Sequence, residues 1–207
     1  MTEDKAIKYL LGNVSRETFE KFETVQQQLI QWSKRFNLVA PSSLPQFWVR
    51  HVLDSVQLYG LAPKAAKNWL DLGSGAGFPG IILAIMITQR PGAKMTLIEA
   101  NGKKASFLKH LAREVGAPVQ VLQQRIEAVE PFTTEVITAR ALSSLSDLLE
   151  YSLPFCDKNT LLVLPKGKQV EAELSAAQNN WKLQFSSHSS ITDKDASVLC
   201  IREFNRV

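Results

Sequence analysis

The sequence predicts an α/β protein: a doubly wound, mostly parallel sheet that ends in an antiparallel strand and is preceded by a helical N-terminal extension. Three observations point there. From Asn68 onward, short apolar runs alternate with longer helical ones, as in a parallel sheet with helices on both faces. The last two apolar runs, 181–185 and 197–204, have only a polar loop between them, which suits an antiparallel pair at the sheet end. Before Asn68 the apolar residues recur every three or four positions, the period of an amphipathic helix. Residues 1–66 are therefore assigned to the extension and 67–207 to a Rossmann-like domain.

Each element has its own reason. Phe19, Phe22, Val25, Leu29, Trp32 and Phe36 put one apolar face on a helix over 15–36. A break at 39–42 (VAPS) follows. Ser43 with Gln46 then forms a capping-box pattern, which predicts a second helix with Val49, Val52, Val56 and Tyr59 inward and Arg50, Asp54 and Gln57 on another face. Residues 61–67 link this segment to the sheet. Runs at 69–72, 94–98, 118–122, 135–139 and 161–165 read as strands, and 79–89, 103–115, 143–152 and 168–179 as helices.

Composition bounds the function. A chain of 207 residues with 45% hydrophobic and 21% charged residues suits one substantial core plus a helical extension. The longest apolar run, 81–87, is too short to span a bilayer, and the start MTEDKAIKYLL is acidic before it is apolar, unlike a secretory leader, so a cytoplasmic protein without membrane association is expected. Cys156 and Cys200 have no metal-ligand company, and no metal is expected. A net charge of +4 permits an anionic partner without requiring one.

Residues 71–80 (DLGSGAGFPG), between two apolar runs, read as a nucleotide-cofactor loop. Glycine lets the backbone turn sharply and lets a ligand approach it closely, and Pro79 suits the first turn of a helix. Glu99 closes the next strand, 26 positions after Gly73, about one βαβ step, where a carboxylate can accept both hydroxyls of a ribose. Read from Gly75, GAGFPG also fits the dinucleotide fingerprint, but out of register: Gly73 is the glycine that follows the strand, and counting from it puts Phe78 at the third position. Asp71 adds a negative charge where a pyrophosphate would be repelled. A cationic ligand without phosphate fits better, which favours S-adenosylmethionine over NAD, with an NAD-binding module kept as the lesser alternative.

The chain resembles the RsmG family, also called glucose-inhibited division protein B, over residues 31–168. Besides the loop, the resemblance rests on QWSKRFNLV at 31–39, RHVLDSVQL at 50–58, LIEANGKKASFLK at 97–109, RIEAVE at 125–130, ITARALSSL at 137–145 and LPKGK at 164–168. The glycine loop is common to many methyltransferases, whereas RHxxDS and TARA mark this family. The resemblance implies a class I S-adenosylmethionine-dependent methyltransferase acting on nitrogen 7 of a guanine in the 530 loop of 16S ribosomal RNA, as free RNA or in a small-subunit particle. Carried over by position, Gly73 and Phe78 would line the methionine side, with Asp71 and Gly75 in the same loop, Glu99 would hold the ribose, Ile126 and Glu127 would flank the adenine, and Arg140 would lie beside the cofactor. Read without the family, Glu127 serves equally as a carboxylate at a helix N-terminus and Arg140 as one arm of a salt bridge. Where the family commonly has an Asn after the helix Trp and a polar residue after the Asn-Leu pair, this chain has Ser33 and Val39; both positions belong to the helical segment, away from the expected cofactor site.

Guanine nitrogen 7 has an in-plane lone pair and can attack a methyl group without first losing a proton. No general base is needed, which suits a chain with three histidines (His51, His110, His188) and no acid/base dyad. That nitrogen is buried in A-form RNA and open in loops, so the substrate is expected to be a splayed base. Arg50, His51 and Asp54, with Lys104 and Lys166, are the candidate substrate contacts; Arg50 and Asp54 at i and i+4 share a helix face, or simply pair with each other. Lys103, Arg125, Arg140 and Lys168 complete a candidate basic rim for phosphates with Lys104 and Lys166, though each alone reads better as an ordinary solvated cation. A monomer is expected. A methyltransferase of another RNA or of a small molecule would use the same cofactor half and not need the rim; a pure RNA-binding protein would leave Glu99 unexplained.

Overall fold

The hydroxyl of Thr2 accepts a hydrogen bond from the Lys5 amide and starts the first helix, α1 (Glu3–Asn13), and Ser15 does the same for α2 (Arg16–Ser33) through the Thr18 amide, in a computed structural model that describes residues 1–207. The periodicity of α2 is realised: Phe22, Val25 and Leu29 are buried, and Phe19 stacks on Trp48 with ring centroids 4.9 Å apart. Phe36 lies beyond the helix end.

The second helix of the extension departs from expectation. Residues Pro41–Gln46 form a 3-10 turn, Trp48–Leu53 a wider π turn, and only α3 (Asp54–Tyr59) is α-helical. Ser43 does not cap; its hydroxyl donates backward to the Ala40 carbonyl at 2.7 Å. The reason is Pro45, which disfavours the helical conformation at Leu44 and so delays the helix beyond the capping-box position. The free amides of Trp48 and Val49 are met instead by the Glu3 carboxylate of α1, at 3.0 and 2.8 Å.

Seven strands follow: β1 (Asn68–Leu72), β2 (Lys94–Ile98), β3 (Val119–Leu122), β4 (Val136–Ala139), β5 (Leu161–Lys166), β6 (Trp181–Ser189) and β7 (Ser197–Arg206). The sheet order is β3-β2-β1-β4-β5-β7-β6, parallel through β5, with β7 antiparallel to both β5 and β6. The tail is thus an antiparallel pair at the sheet end, as its missing helix required, and the strands run on beyond the expected 181–185 and 197–204 to Ser189 and Arg206. Helices α4 (Gly80–Ile87), α5 (Gly102–Glu114), α6 (Leu145–Ser152) and α7 (Val170–Gln178) fill the crossovers.

Two apolar cores lie on the two sheet faces, one with α4, α5 and the extension, the other with α6 and α7. α2 packs on α4 and α5, and α3 on α4. This explains why α4 is apolar all round: the sheet covers one side and the extension the other. The strand order reverses between the parallel neighbours β1 and β4, so a crevice opens at their carboxyl ends.

α4 begins unusually close to the sheet. A Cβ on Gly80 would stand 2.4 Å from Leu97 Cδ2 and 2.7 Å from Asp71 Oδ2. Gly80→Ala is therefore expected to cost about 1–3 kcal/mol through forced overpacking, read as a lower thermal midpoint. An unchanged midpoint would show that the strand and helix yield freely here.

Candidate active site

Two cavities lie side by side over the carboxyl ends of the parallel strands. The first, about 410 Å³, is walled by the glycine loop, the end of β2, the turn after β3 and the segment after β4. The second, about 940 Å³, lies between the π turn and α3, the ends of β4 and β5, α7, and the β6–β7 loop. Arg140 and Ala141 line both.

The glycine loop turns with φ of +61° at Gly73, and a Cβ there would stand 2.5 Å from Leu142 Cδ1. Glu99, at the end of β2, is nearly buried. Its Oε2 accepts the Gly75 amide at 2.8 Å and its Oε1 the Asn101 amide at 2.7 Å, while Asn101 Oδ1 caps α5 through the Lys103 and Lys104 amides. One carboxylate thus ties the loop after β1 to the helix start after β2, and each oxygen keeps acceptor capacity on the cavity wall. Ile126 and Glu127 sit in a 3-10 turn after β3 on the opposite wall.

Of the loop residues singled out in the sequence, Gly73, Gly75 and Phe78 line the first cavity, as do Glu99, Ile126, Glu127 and Arg140. Asp71 does not. Strand alternation points it away from Leu70 and Leu72 and under the start of α4, where it is fully buried and its Oδ1 accepts the Thr138 hydroxyl at 2.7 Å. Burial pushes its carboxyl up to about 6. Val39, expected in the helical segment away from the cofactor site, lines the first cavity together with Leu38, because the chain after α2 folds back over the loop. Ser33, by contrast, ends α2 with its hydroxyl buried and unpartnered.

Arg50, His51, Asp54 and Arg140 come together, although some 90 residues separate the first three from the last. Arg140 Nη1 donates to the Arg50 carbonyl at 2.6 Å and pairs with Asp54 Oδ2 at 3.3 Å, and Nη2 donates to His51 Nδ1 at 3.0 Å. The His51 ring stacks on Phe78 at 4.5 Å, and the guanidinium lies 5.5 Å from the same ring. Arg50 and Asp54 make no ion pair with each other; Arg140 holds both.

A guanidinium only donates, so His51 Nδ1 accepts and the ring carries its proton on Nε2. Burial, reinforced by Arg140 and Arg50, lowers the His51 pKa to about 3. A histidine whose folded pKa lies below its unfolded value stabilises the fold above about pH 6.5 and loses that contribution as pH falls toward 3. The His51 ring resonances are accordingly expected to stay flat between about pH 9 and 5. Titration of this ring near neutrality would overturn the assigned environment.

The remaining basic residues divide. Lys104 and Arg125 line the first cavity. Lys166 lines the second, paired with Glu173 at 2.7 Å. Lys103 stands 5.4 Å from the Phe36 ring, and Lys168 lies outside both cavities. Around Asp54 the second cavity gathers two residues that were not among the expected site residues, Gln57 and Thr192: Asp54 Oδ1 accepts from Thr192 at 2.9 Å and Gln57 at 2.8 Å, and Gln57 Oε1 accepts the Ile191 amide at 3.0 Å, which closes the β6–β7 loop on α3. Only Gln57 carried a local signal, its place beside Arg50 and Asp54 on one face.

A carboxylate bonded to a loop amide, a bare glycine turn and a partly apolar wall with Ile98, Ile126 and Leu142 fit a nucleoside carrying a short chain. The chain has no helix long and apolar enough to cross a membrane. In fold it is similar to a putative O-methyltransferase from Klebsiella pneumoniae (TM-score 0.63, 13% identity, 97% of this chain and 96% of that one). It is also similar to an O-methyltransferase from Bacillus cereus in complex with SAH (TM-score 0.62, 14% identity, 95% and 96%). Over its sequence it is 42% identical to a ribosomal RNA small subunit methyltransferase G from Jannaschia sp. (strain CCS1), across 98% of this chain and 96% of that protein. A family described as "rRNA small subunit methyltransferase G" (GidB) matches residues 18–202. With the class I fold, the glycine loop and Glu99 in place, the chain belongs to that family of S-adenosylmethionine-dependent methyltransferases.

Proposed function

We propose that this chain methylates nitrogen 7 of a guanine in the 530 loop of 16S ribosomal RNA, with S-adenosylmethionine in the first cavity and the acceptor base in the second. The observation that carries the reading is the meeting of the two cavities at Arg140 and Ala141, beside a histidine kept neutral. When bound, S-adenosylmethionine supplies an electrophilic methyl group on a sulfonium.

The chain's own residues do the rest. Glu99 accepts the ribose hydroxyls; Gly73, Gly75 and Phe78 leave room for the methionine portion; Ile126 and Glu127 flank the adenine. Arg140 is locked by the Arg50 carbonyl, Asp54 and His51, so the junction between cavities is rigid before either ligand arrives, the preorganisation that in-line transfer needs. The acceptor nitrogen takes the methyl with its in-plane lone pair and has no proton to lose. His51, neutral and engaged through Nδ1, abstracts none.

Arg50 and Lys104, with Arg125, contact phosphates of a splayed RNA loop at the cavity rims, and Lys166 and Asp54 act inside the second cavity. On this reading residues 1–66 form one wall of the acceptor site and 67–207 the transfer domain, working as a cytoplasmic monomer on RNA or a small-subunit particle.

The test is methyl transfer from labelled S-adenosylmethionine to small-subunit RNA, free and in particles, from cells lacking this protein, followed by mapping of the product. Label on nitrogen 7 of one guanine in the 530 loop is expected. Absence of RNA label, with cofactor binding intact in calorimetry, would move the acceptor elsewhere.

A further inference from the structure

The second cavity is lined by an ion pair that takes no part in the methyl-transfer step itself. Lys166, at the end of β5, has a side chain only 7% exposed and is bonded to Glu173 of α7 at 2.7 Å. A buried ammonium demands a partner, and in return it holds that partner in one place.

The other carboxylates around the cavity are occupied or exposed to solvent. Glu3 spends both oxygens on the Trp48 and Val49 amides. Asp54 is taken by Gln57, Thr192 and Arg140. Asp193 is on the exposed β6–β7 loop and accepts the Asp195 amide. Glu173 gives Oε2 to Lys166, and its Oε1 has no partner while the residue faces the cavity.

We propose that Glu173, held by Lys166, reads the Watson–Crick edge of the acceptor base and selects guanine; this rests on the guanine-N7 reading above. Thr138 of β4 pairs with Val163 of β5, so the residues after β4, Arg140 and Ala141, stand beside the end of β5 that carries Lys166. The N7 lone pair and the Watson–Crick donors of guanine point about a right angle apart in the plane of the base, on adjacent edges that share O6. A guanine with its N7 at the Arg140–Ala141 junction can therefore turn its N1–H and 2-amino group sideways, across the sheet end toward β5 and α7. Those two adjacent donors match the two oxygens of a carboxylate. Adenine offers a lone pair at N1 and no 2-amino group, and an ionised carboxylate repels it.

The experiment compares transfer to small-subunit RNA carrying guanosine or inosine at the acceptor position, since inosine keeps N7, O6 and N1–H and lacks only the 2-amino group. Wild type is expected to lose about ten- to a hundredfold in kcat/KM on inosine, one hydrogen bond to a charged group. Glu173→Gln is expected to be slower on guanosine and to treat the two RNAs alike within about threefold, the amide having one acceptor only. Should the unpaired ammonium prevent folding of that variant, Lys166→Met with Glu173→Gln removes both charges and is expected to show the same flattened ratio. A merely structural ion pair would lower both rates and leave the ratio at its wild-type value, which overturns the proposal, as does a wild type that ignores the 2-amino group. Failure of wild type on both RNAs while it still binds the cofactor overturns the guanine reading, and the proposal with it.

Discussion

Glu99→Ala is expected to lower affinity for S-adenosylmethionine by about ten- to a hundredfold, the scale of one or two lost charged hydrogen bonds. Its two oxygens accept the Gly75 and Asn101 amides, so truncation removes the proposed ribose acceptor and also leaves both amides without it. The glycine loop and the start of α5 then lose their common anchor, and a stability loss of about 1–3 kcal/mol is expected alongside. Glu99→Gln separates the effects: its one carbonyl oxygen keeps an amide bonded, so stability is largely restored while cofactor binding is not. Titration calorimetry gives the Kd and thermal melting the stability. An unchanged Kd in folded Glu99→Ala would remove the ribose role.

Arg140→Ala is expected to lower cofactor affinity by a similar ten- to a hundredfold and to depress transfer further than the affinity loss explains. The guanidinium joins the Arg50 carbonyl, Asp54 and His51 on the extension to the end of β4, and it lies over Phe78 of the glycine loop. Its removal loosens both cavities at their shared wall, so kcat falls as well as Kd rising. Arg140→Lys keeps the charge but cannot span three acceptors on two sides, and little of kcat should return. Asp54 retains Gln57 and Thr192, so the β6–β7 loop stays docked and the fold survives. Normal kcat in Arg140→Ala at saturating cofactor would confine the residue to a structural bridge.

The glycine loop, its βαβ distance to Glu99 and the seven strands were legible because each depends on a few neighbouring residues. The capping box at Ser43 misled, since Pro45 overrides it and Glu3, more than forty residues away, supplies the missing acceptors. Asp71 misled differently: its position in the loop suggests ligand contact, but strand alternation turns it beneath α4. Val39 reached the first cavity because the chain after α2 folds back over the loop, which no spacing encodes.

Helical and strand periods, turn-forming glycines and a carboxylate after a strand are short-range properties, and from them the sequence determines the element order, the sheet class and most of the lining of the first cavity. The second cavity, proposed as the acceptor half, was decided in three dimensions. Arg140 meets Arg50, His51 and Asp54, the β6–β7 loop closes through Thr192 and Ile191, and Lys166 finds Glu173, all through contacts between elements whose separation leaves no periodic trace. The physical reason is that hydrogen bonding and burial reward proximity in space, and proximity between distant segments exists only once the sheet and the extension have packed together.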